Sequence, residues 1–295
     1  MDMMVIGFRD NSKVGGKGLT PTEEEAHFGL WCIMSSPLLI GCNLENLPDS
    51  SLQLLTNKEL IALNQDPLGL QAYVAQHENE GYVLVKDIEQ KRGNVRAVAL
   101  YNPSDTLCSF SVPFTSLEFG GNVKVRDLAR QNDLGNFSDV FERTLPPHSA
   151  MFLRMEGETR LEPTLYEAEW AYLPLFNDLG KNPKGIIYAH DKDASGKMKI
   201  GFLGGKPENY AEWREVYSEN GGRYDMTIHY LYGKGRQIEL DVNGIITKID
   251  SLGKDNGHNQ ITVPVELKAG YNTIRMGNSY NWAPDIDCFT LTKVL

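Results

Sequence analysis

Apolar residues near the start of the chain recur at a helical spacing and then give way to a short continuous run. Thr20, Pro21 and Glu23 provide an N-cap, a proline at the first helical position and a capping box. Pro37 ends the predicted helix, because proline cannot continue one. The run Leu38-Leu39-Ile40 that follows is typical of a strand buried on both faces.

Further α/β structure is predicted on either side of this segment. Residues 1–7 have the composition of a buried parallel strand, and residues 49–64 are again helical, with Asn57 as a candidate N-cap for their second half. The order strand, helix, strand, helix is that of a parallel α/β barrel, which needs eight such units when complete. Residues 1–68 are therefore predicted to be a remnant of a (β/α)8 barrel that holds its last units.

From residue 69 to residue 156 the apolar residues change to a period of two, which is typical of half-buried strands. Turn residues separate these runs, and the segment 69–156 therefore predicts an antiparallel β-sandwich. The runs are residues 82–86, 95–100, 109–112 and 150–153.

A charged stretch at residues 157–163 is predicted to be a linker, and the period of two returns over residues 164–295. Asn243-Gly244 is a strong signal for a tight hairpin turn, and the segment as a whole predicts a jelly-roll-like β-sandwich. The predicted fold class is thus mainly β with a small α/β part. The alternating runs are residues 223–230, 237–242, 260–265 and 272–276.

Composition limits the classes of partner. The formal net charge is −10 and the calculated pI is about 5.2, so the chain repels nucleic acid and anionic membrane surfaces. No apolar run approaches the roughly 18 residues of a transmembrane helix, and no basic segment of a signal peptide precedes the first apolar residues. Neutral molecules such as sugars are the expected ligands.

The cysteines are scattered through the chain at Cys32, Cys42, Cys108 and Cys288. Their spacing matches neither a metal-binding motif nor a disulfide framework. They are therefore predicted to be buried free thiols, and they do not indicate a cellular compartment.

The last segment contains acidic residues whose positions indicate a metal site. Glu167 and Glu169 are two apart on a predicted strand and so share a face, while Asp287 has the parity of the core-facing Phe289 and Leu291. An inward carboxylate is costly unless it is paired or metal-bound, and three hard oxygen ligands suit Ca²⁺. The alternatives are a salt bridge to a Lys or Arg and an edge position in water.

The loop Tyr280-Asn281-Trp282-Ala283-Pro284 has the composition of a sugar-binding platform. An aromatic ring stacks on the apolar face of a sugar, and the amide beside it can bind hydroxyl groups. The alternative is that Trp282 folds back over the end of the sandwich.

Several motifs of the first half, in order, resemble glycoside hydrolase family twenty-seven, which holds α-galactosidases, α-N-acetylgalactosaminidases and related enzymes. The same family has a β-sandwich after its barrel, which residues 125–128 and 146–149 resemble. The motifs are Gly18-Leu19-Thr20, His27-Phe28-Gly29-Leu30-Trp31, Ser36-Pro37-Leu38-Leu39-Ile40-Gly41 and Asn64-Gln65-Asp66-Pro67-Leu68-Gly69.

The resemblance also implies which site residues the chain holds. The family motif Trp-Asn-Asp-Pro-Asp-Met-Leu lies near the seventh barrel strand, and Asp2 and Met3 match its last Asp and its Met. In the family these two residues line the sugar pocket, whereas the catalytic aspartates lie on earlier strands. A retaining glycosidase needs two carboxylates about 5–5.5 Å apart. We therefore expect no catalytic residue in this chain, and no turnover by the chain alone.

The third segment resembles carbohydrate-binding modules of families six and thirty-five, in which a cluster like Glu167, Glu169 and Asp287 holds a structural calcium and a loop like that of Trp282 contributes to ligand binding. The residues that carry the resemblance are Tyr166-Glu167-Ala168-Glu169, Gly221-Gly222-Arg223-Tyr224, Val242-Asn243-Gly244, Lys268-Ala269-Gly270-Tyr271-Asn272-Thr273-Ile274 and Asp285-Ile286-Asp287.

Taken together, these features predict the C-terminal portion of a retaining α-galactosidase that needs no catalytic metal and acts on galactose-containing oligosaccharides or polysaccharides. Six barrel strands and a signal peptide would precede the chain in the parent protein, which is expected to be secreted or periplasmic. The alternatives are a non-catalytic carbohydrate-binding protein and an adhesion or protein-interaction module. Without its barrel neighbours, residues 1–68 are expected to pack on the sandwich, to self-associate or to stay exposed, and to be the least stable part.

Overall fold

A computed structural model describes residues 3–8, 18–78, 80–177, 185–250, 252–253 and 256–294. The chain divides into two compact units, Met1–Leu161 and Glu162–Leu295. Both are mostly β, as the sequence predicts, and the helices lie near the start of the first unit. None of the helices in the described ranges has the length and apolar character needed to cross a membrane.

The first unit begins with helices and continues with antiparallel strands. One sheet has the strand order β1-β2-β3-β8-β5-β6, and β4 pairs separately with β7. All the strand runs predicted between residues 69 and 156 are confirmed. The elements are α1 Pro21–Ile33, α2 Asp49–Leu55, α3 Lys58–Asn64, β1 Tyr73–Glu78, β2 Gly81–Asp87, β3 Val95–Asn102, β4 Cys108–Pro113, β5 Phe119–Asp127, β6 Asn132–Phe137, β7 Val140–Leu145 and β8 Ser149–Arg160.

The helix signals read from the sequence are also confirmed. The Thr20 hydroxyl accepts from the Glu23 amide, and the Glu23 carboxylate accepts from the Thr20 amide, so the capping box at the start of α1 is complete. Asn57 caps α3 by accepting from the Glu59 and Leu60 amides. Asn57 also donates to the carbonyl of Leu128, which ties this helix to the sandwich.

One hydrophobic core joins the helices to the sandwich in the first unit. Phe28, Trp31 and Ile33 of α1 share a cluster of buried side chains with Ala97 and Phe152 of the sheet. At Gly29 a methyl group would overlap the Phe152 ring, so this close approach requires glycine. Of the three outcomes expected for residues 1–68, packing on the sandwich is therefore the one found for the apolar face of α1.

The strand predicted at residues 38–40 was not found. Ile40 forms only an isolated parallel bridge with Met4, and Leu39 and Ile40 are 58% and 45% exposed. Within residues 3–8, this bridge at Met4 is the full extent of the strand pairing. The side chains of Met4 and Ile6 are buried, and those of Met3 and Val5 are exposed. The predicted burial on both faces would require neighbouring strands on either side of this pair.

The linker predicted at residues 157–163 contains the boundary between the two units, but its first four residues belong to a strand. Strand β8 continues to Arg160 and pairs with β5 through Val123↔Gly157 and Phe119↔Arg160. The charge of this stretch had indicated a solvated segment. Instead Arg160 pairs with Asp87 at 3.0 Å and with Glu118 at 2.8 Å, which satisfies its charge inside the unit.

The second unit is a pair of sheets around a common core. The larger sheet has the order β10-β11-β18-β13-β16 with β9 also paired to β18, and the smaller has the order β12-β17-β14-β15. Trp213 and Phe289 meet edge-on between the two sheets. The strands are β9 Leu165–Glu167, β10 Ile187–His190, β11 Met198–Gly201, β12 Ala211–Ser218, β13 Gly222–Leu231, β14 Ile238–Val242, β15 Ile245–Ile249, β16 Asn259–Leu267, β17 Gly270–Gly277 and β18 Asp285–Lys293.

The hairpin between β14 and β15 confirms the tight turn predicted at Asn243-Gly244. Both residues have positive φ, 54° and 92°, which matches the right-handed twist of the flanking strands.

Candidate metal centre and sugar-binding loop

Of the three carboxylates in the predicted metal site, those of Glu167 and Asp287 have oxygen atoms within 4.8 Å of each other. The carboxylate of Glu169 lies near them, beside Gly196, in a local structure that the sequence did not predict. Glu167 ends strand β9, whereas Glu169 lies in the short 3-10 turn Ala168–Trp170 rather than on the same strand. The third, Asp287, lies on β18. We call Glu167, Glu169 and Asp287 the carboxylate cluster.

A β-bulge positions Asp287. Along β13 and β18, His229 pairs with Cys288 and the next residue, Tyr230, pairs with Ile286, so Asp287 is the extra residue of the bulged strand. A bulge redirects a side chain relative to the regular alternation of a strand. The parity argument predicted an inward Asp287, and its side chain is indeed buried, 6% exposed, but the shift in register also affects its neighbour Cys288.

The segment 195–196 covers the cluster. The Ser195 amide donates to Asp287 Oδ1 at 2.9 Å, and the Ser195 hydroxyl donates to Glu167 Oε1. Gly196 has a φ of +56°, and a side chain there would meet Glu169 Oε1 at 2.8 Å. The small residue therefore allows the backbone to approach the carboxylates closely.

No ion pair neutralises these carboxylates within the described part of the chain. Glu167 Oε2 and Glu169 Oε2 are buried without a hydrogen-bond partner. Burial, and to a smaller extent the charges of Glu169 and Asp287, raise the pKa of Glu167 to about 7, although the hydrogen bond from the Ser195 hydroxyl acts to lower it. Burial, then Asp287, raise the pKa of Glu169 to about 7, and burial raises that of Asp287 to about 6.

The donor set fits a divalent cation. Unpaired buried carboxylate oxygens carry a large desolvation cost, and a cation bound between them would remove it. Oxygen donors from Glu and Asp side chains are the ligands that Ca²⁺ prefers. The salt-bridge alternative for these residues is not found among the described residues, and the water-exposed alternative does not fit the burial of Glu167 and Asp287.

The predicted sugar-binding loop is exposed and held by the backbone. Trp282 is 46% exposed, and its backbone bridges to Gly204, while the Asn281 carbonyl accepts from the Gly205 amide. The carbon atoms of the Trp282 ring lie over Gly205, where an added side chain would touch them. Asn281 itself is exposed, so its amide is accessible beside the ring.

Sequence reasoning missed one aromatic residue of this loop region. Phe202, 42% exposed, meets Trp282 edge-on with the ring centroids 6.1 Å apart, and it has a φ of +62°. The Gly204-Gly205 pair after it signals an irregular turn, but nothing in the pattern shows that the turn returns to Trp282. Trp213 is 3% exposed and belongs to the core of the second unit, so it cannot serve as a sugar platform.

The residues predicted to line the substrate pocket give less structural information. Asp2 lies outside the described residues. Met3 is 54% exposed, and its side chain packs against Gly41, where an added methyl group would lie 2.5 Å from the sulfur.

Comparison with known families identifies the class of the first unit. A family described as "Alpha galactosidase A" matches residues 6–66, and one described as "Alpha galactosidase C-terminal beta sandwich domain" matches residues 80–155. The first unit therefore resembles glycoside hydrolases. Within that class, residues 6–66 are similar to part of the α-galactosidase domain and residues 80–155 to the C-terminal β-sandwich of that family.

Individual relatives agree with this assignment. A probable α-galactosidase of Dictyostelium discoideum is 32% identical over 155 residues, which cover 50% of this chain and 40% of that protein. Alpha-galactosidase 3 of Arabidopsis thaliana is 36% identical over 155 residues, covering 51% and 35%. The chain thus spans well under half the length of these relatives.

Two solved structures extend the comparison. A putative α-galactosidase/melibiase from Bacteroides fragilis is 31% identical, with a TM-score of 0.47 over 52% of this chain and 33% of that one. The isomalto-dextranase of Arthrobacter globiformis, solved with panose, is 18% identical with a TM-score of 0.54 over 92% of this chain and 48% of that one. The second likeness is one of fold alone.

Proposed function

We propose that this chain is a portion of a retaining α-galactosidase that removes terminal α-linked galactose and carries an additional carbohydrate-binding domain. The observation that carries the proposal is the pair of α-galactosidase family matches, in order, over residues 6–66 and 80–155. The names of the relatives support galactosides as the substrate class.

The contacts of the three acidic residues in α1 support the expectation that none of them is catalytic. Glu23 completes the capping box, and Glu25 pairs with Arg130. Glu24 is 1% exposed and accepts from the Gly7 amide at 2.9 Å and from the Ser51 hydroxyl at 2.6 Å. Each glutamate therefore has a structural partner, and none is available as one of the two carboxylates that a retaining glycosidase needs.

An exposed apolar surface supports the place of this segment in a larger barrel. Met3, Val5, Leu39, Ile40 and Leu44 are each at least 45% exposed, around the parallel bridge between the first residues and Ile40. Parallel sheets are buried on both faces in α/β proteins. We infer that further strands of an α-galactosidase barrel cover this surface in the complete enzyme, rather than a second copy of this chain.

A turnover assay tests the catalytic part of the proposal. Residues 1–295 should give no release of chromophore from p-nitrophenyl α-galactoside above a blank. An extended protein that joins this chain to the earlier units of an α-galactosidase barrel should hydrolyse it with retention of configuration. Turnover by residues 1–295 that survives Asp2→Asn would show that the catalytic carboxylates lie elsewhere, and an inactive extended protein would contradict the enzymatic function.

A binding assay tests the proposed role of the second unit. Trp282→Ala should weaken binding to galactose-containing polysaccharides about tenfold, because a stacked aromatic ring contributes on the order of 1–2 kcal/mol. Phe176 is a matched control, since it is 45% exposed in the same unit, and Phe176→Ala should leave binding unchanged. Equal affinities of both variants and the parent would exclude the loop as the platform, and binding only to proteins would favour an adhesion module.

The calcium proposal has its own test. An ion that binds only the folded state stabilises it by about 2.7 kcal/mol at a hundred times its dissociation constant. The thermal unfolding temperature of the full chain should therefore rise with Ca²⁺ and fall with a chelator. The double variant with Glu167→Gln and Asp287→Asn should abolish this shift. A chain without bound metal by elemental analysis, and without a thermal shift, would refute the calcium site.

A further inference from the structure

Cys288 lies inside the carboxylate cluster rather than in the hydrophobic core. The carboxylate oxygens of Glu167 and Asp287 and the sulfur of Cys288 all lie within 4.8 Å of one another. Cys288 is 4% exposed, and both carboxylates are 6% exposed. The Oε2 atom of Glu167 is buried and has no hydrogen-bond partner. This unsatisfied oxygen is an independent observation that indicates a ligand-binding site.

Comparison with the other buried thiols shows that this position is unusual. Cys32 and Cys108 are members of hydrophobic clusters in the first unit. The neighbours of Cys288 along β18, Ile286 and Phe289, belong to the core of the second unit, but Cys288 does not.

The bulge explains how sulfur and oxygen donors come together. Consecutive residues of a regular strand point to opposite faces, which would separate the side chains of Asp287 and Cys288. The pairing of Cys288 with Glu167 on β9, and the register shift at Asp287, instead bring all three ligand atoms to one place. This arrangement could not be read from the spacing of the cysteines, because only one of them takes part.

We propose that Glu167, Asp287 and Cys288 form a mixed oxygen–sulfur site for a thiophilic divalent cation of the Zn²⁺ or Cd²⁺ class. Zn²⁺ binds Cys sulfur and carboxylate oxygen in four-coordinate sites, and sulfur ligands select such ions over Ca²⁺. Glu169 or water supplies the fourth ligand. On binding, the thiol proton leaves to solvent and the thiolate sulfur bonds to the metal.

The inference rests on the proposed calcium site. Ca²⁺ and the thiophilic cation would share Glu167 and Asp287 and must therefore compete. A second group of donors, Asp191, Asp193 and His258, could also attract added metal. It contains no sulfur, so a signal from a metal–thiolate bond distinguishes the two places.

The experiment is a titration of the metal-free full chain with Cd²⁺, followed by the ultraviolet charge-transfer absorption of the cadmium–thiolate bond. All proteins carry Cys42→Ser, because Cys42 is the described thiol that is not fully buried. We expect a band that saturates at one equivalent and is suppressed by excess Ca²⁺. Cys288→Ser should lose the band and weaken Cd²⁺ binding by more than about tenfold while keeping the calcium-dependent thermal shift.

Matched variants complete the test. Cys32→Ser and His258→Ala should keep the band, since neither contributes to the mixed site. Absence of a band in the parent, or a band that persists in Cys288→Ser, would overturn the inference. A calcium shift without a cadmium band refutes the sulfur site alone, whereas a cadmium band without any calcium shift refutes the calcium proposal alone. The parent titration with Ca²⁺ competition decides the matter even if Cys288→Ser fails to fold.

Discussion

Two groups of buried carboxylates, one in each unit of the chain, differ in how their charge is balanced. In the first unit, Asp87 and Glu118 are surrounded by Arg96 and Arg160, and although burial alone would raise the pKa of Asp87, the two arginines hold it below its ordinary value. In the second unit, burial raises the pKa of the cluster member Glu167 to about 7. Arginines of the first unit therefore balance Asp87 and Glu118, whereas the carboxylate cluster of the second unit leaves negative charge that a bound cation can balance.

Removing an internal partner should have the largest effect. Arg96 is almost completely buried and pairs with Asp87 at 3.0 Å, so Arg96→Met removes one of the two arginines at Asp87 and leaves Arg160 as the remaining partner. Such a loss costs about 3–5 kcal/mol, which denaturant unfolding would measure. Arg143 is exposed in the same unit, and Arg143→Met should change stability by less than about 0.5 kcal/mol. Similar effects of the two variants would contradict internal balance.

A buried lysine of the first unit gives the next largest effect. The Lys86 ammonium donates to the Ser35 hydroxyl at 2.9 Å and to the carbonyls of Leu63 and Leu70 at 3.1 Å. Lys86→Met keeps most of the volume but removes the donor from these acceptors, and we expect a loss of about 1–3 kcal/mol in the free energy of unfolding. Lys124, which is largely exposed, provides the control variant Lys124→Met, with little expected change.

The pH dependence of the metal-free chain should differ between the units. The folded-state pKa of Glu167 and Glu169 lies above the ordinary value of 4.5, so their contribution to stability is complete below about pH 4.5 and is lost as the pH rises through about 7. Asp87 has a lowered pKa, so its contribution is lost as the pH falls. Unfolding in chelator, followed from pH 2 to pH 8 with probes in each unit, should show the loss at Asp87 below about pH 3.8 and the loss at Glu167 and Glu169 toward pH 7. A dependence of stability on pH with the same sign in both units would contradict this contrast.

The smallest expected effect is that of Glu167→Gln. In chelator at pH 8 the amide removes one uncompensated charge, so the variant should be as stable as the parent or more stable by about 1 kcal/mol. In Ca²⁺ it should be the less stable protein, since it loses a ligand. A variant that is destabilised equally in both conditions would mean that Glu167 has a packing role independent of metal.

Sequence reasoning predicted the parts of the molecule that depend on local patterns. The capping box of α1, the Asn57 cap and the Asn243-Gly244 turn involve residues within a few positions of one another, and so do the alternating strands. These signals need no knowledge of the rest of the fold. They were confirmed because local and tertiary preferences agree at these positions.

Long-range partners account for the errors. Residues 157–160 include charged side chains, and they continue a strand because they pair with the distant β5 and because Arg160 pairs with Asp87 and Glu118. Leu38-Leu39-Ile40 is apolar enough for a buried strand, yet no described strand covers it. The bulge that brings Cys288 to Asp287 depends on the pairing of β13 with β18, which no local pattern in β18 encodes.

The contact between Gly29 and Phe152 couples the evolution of two segments that are 123 positions apart in the sequence, the difference between their residue numbers. A side chain larger than hydrogen at position 29 can be inherited only together with a smaller residue at position 152. Helix α1 and strand β8 should therefore covary, and recombination between them should yield few functional chimeras. An exchange of segments among related enzymes would succeed more readily at residue 161, where the first unit ends, than at residue 68.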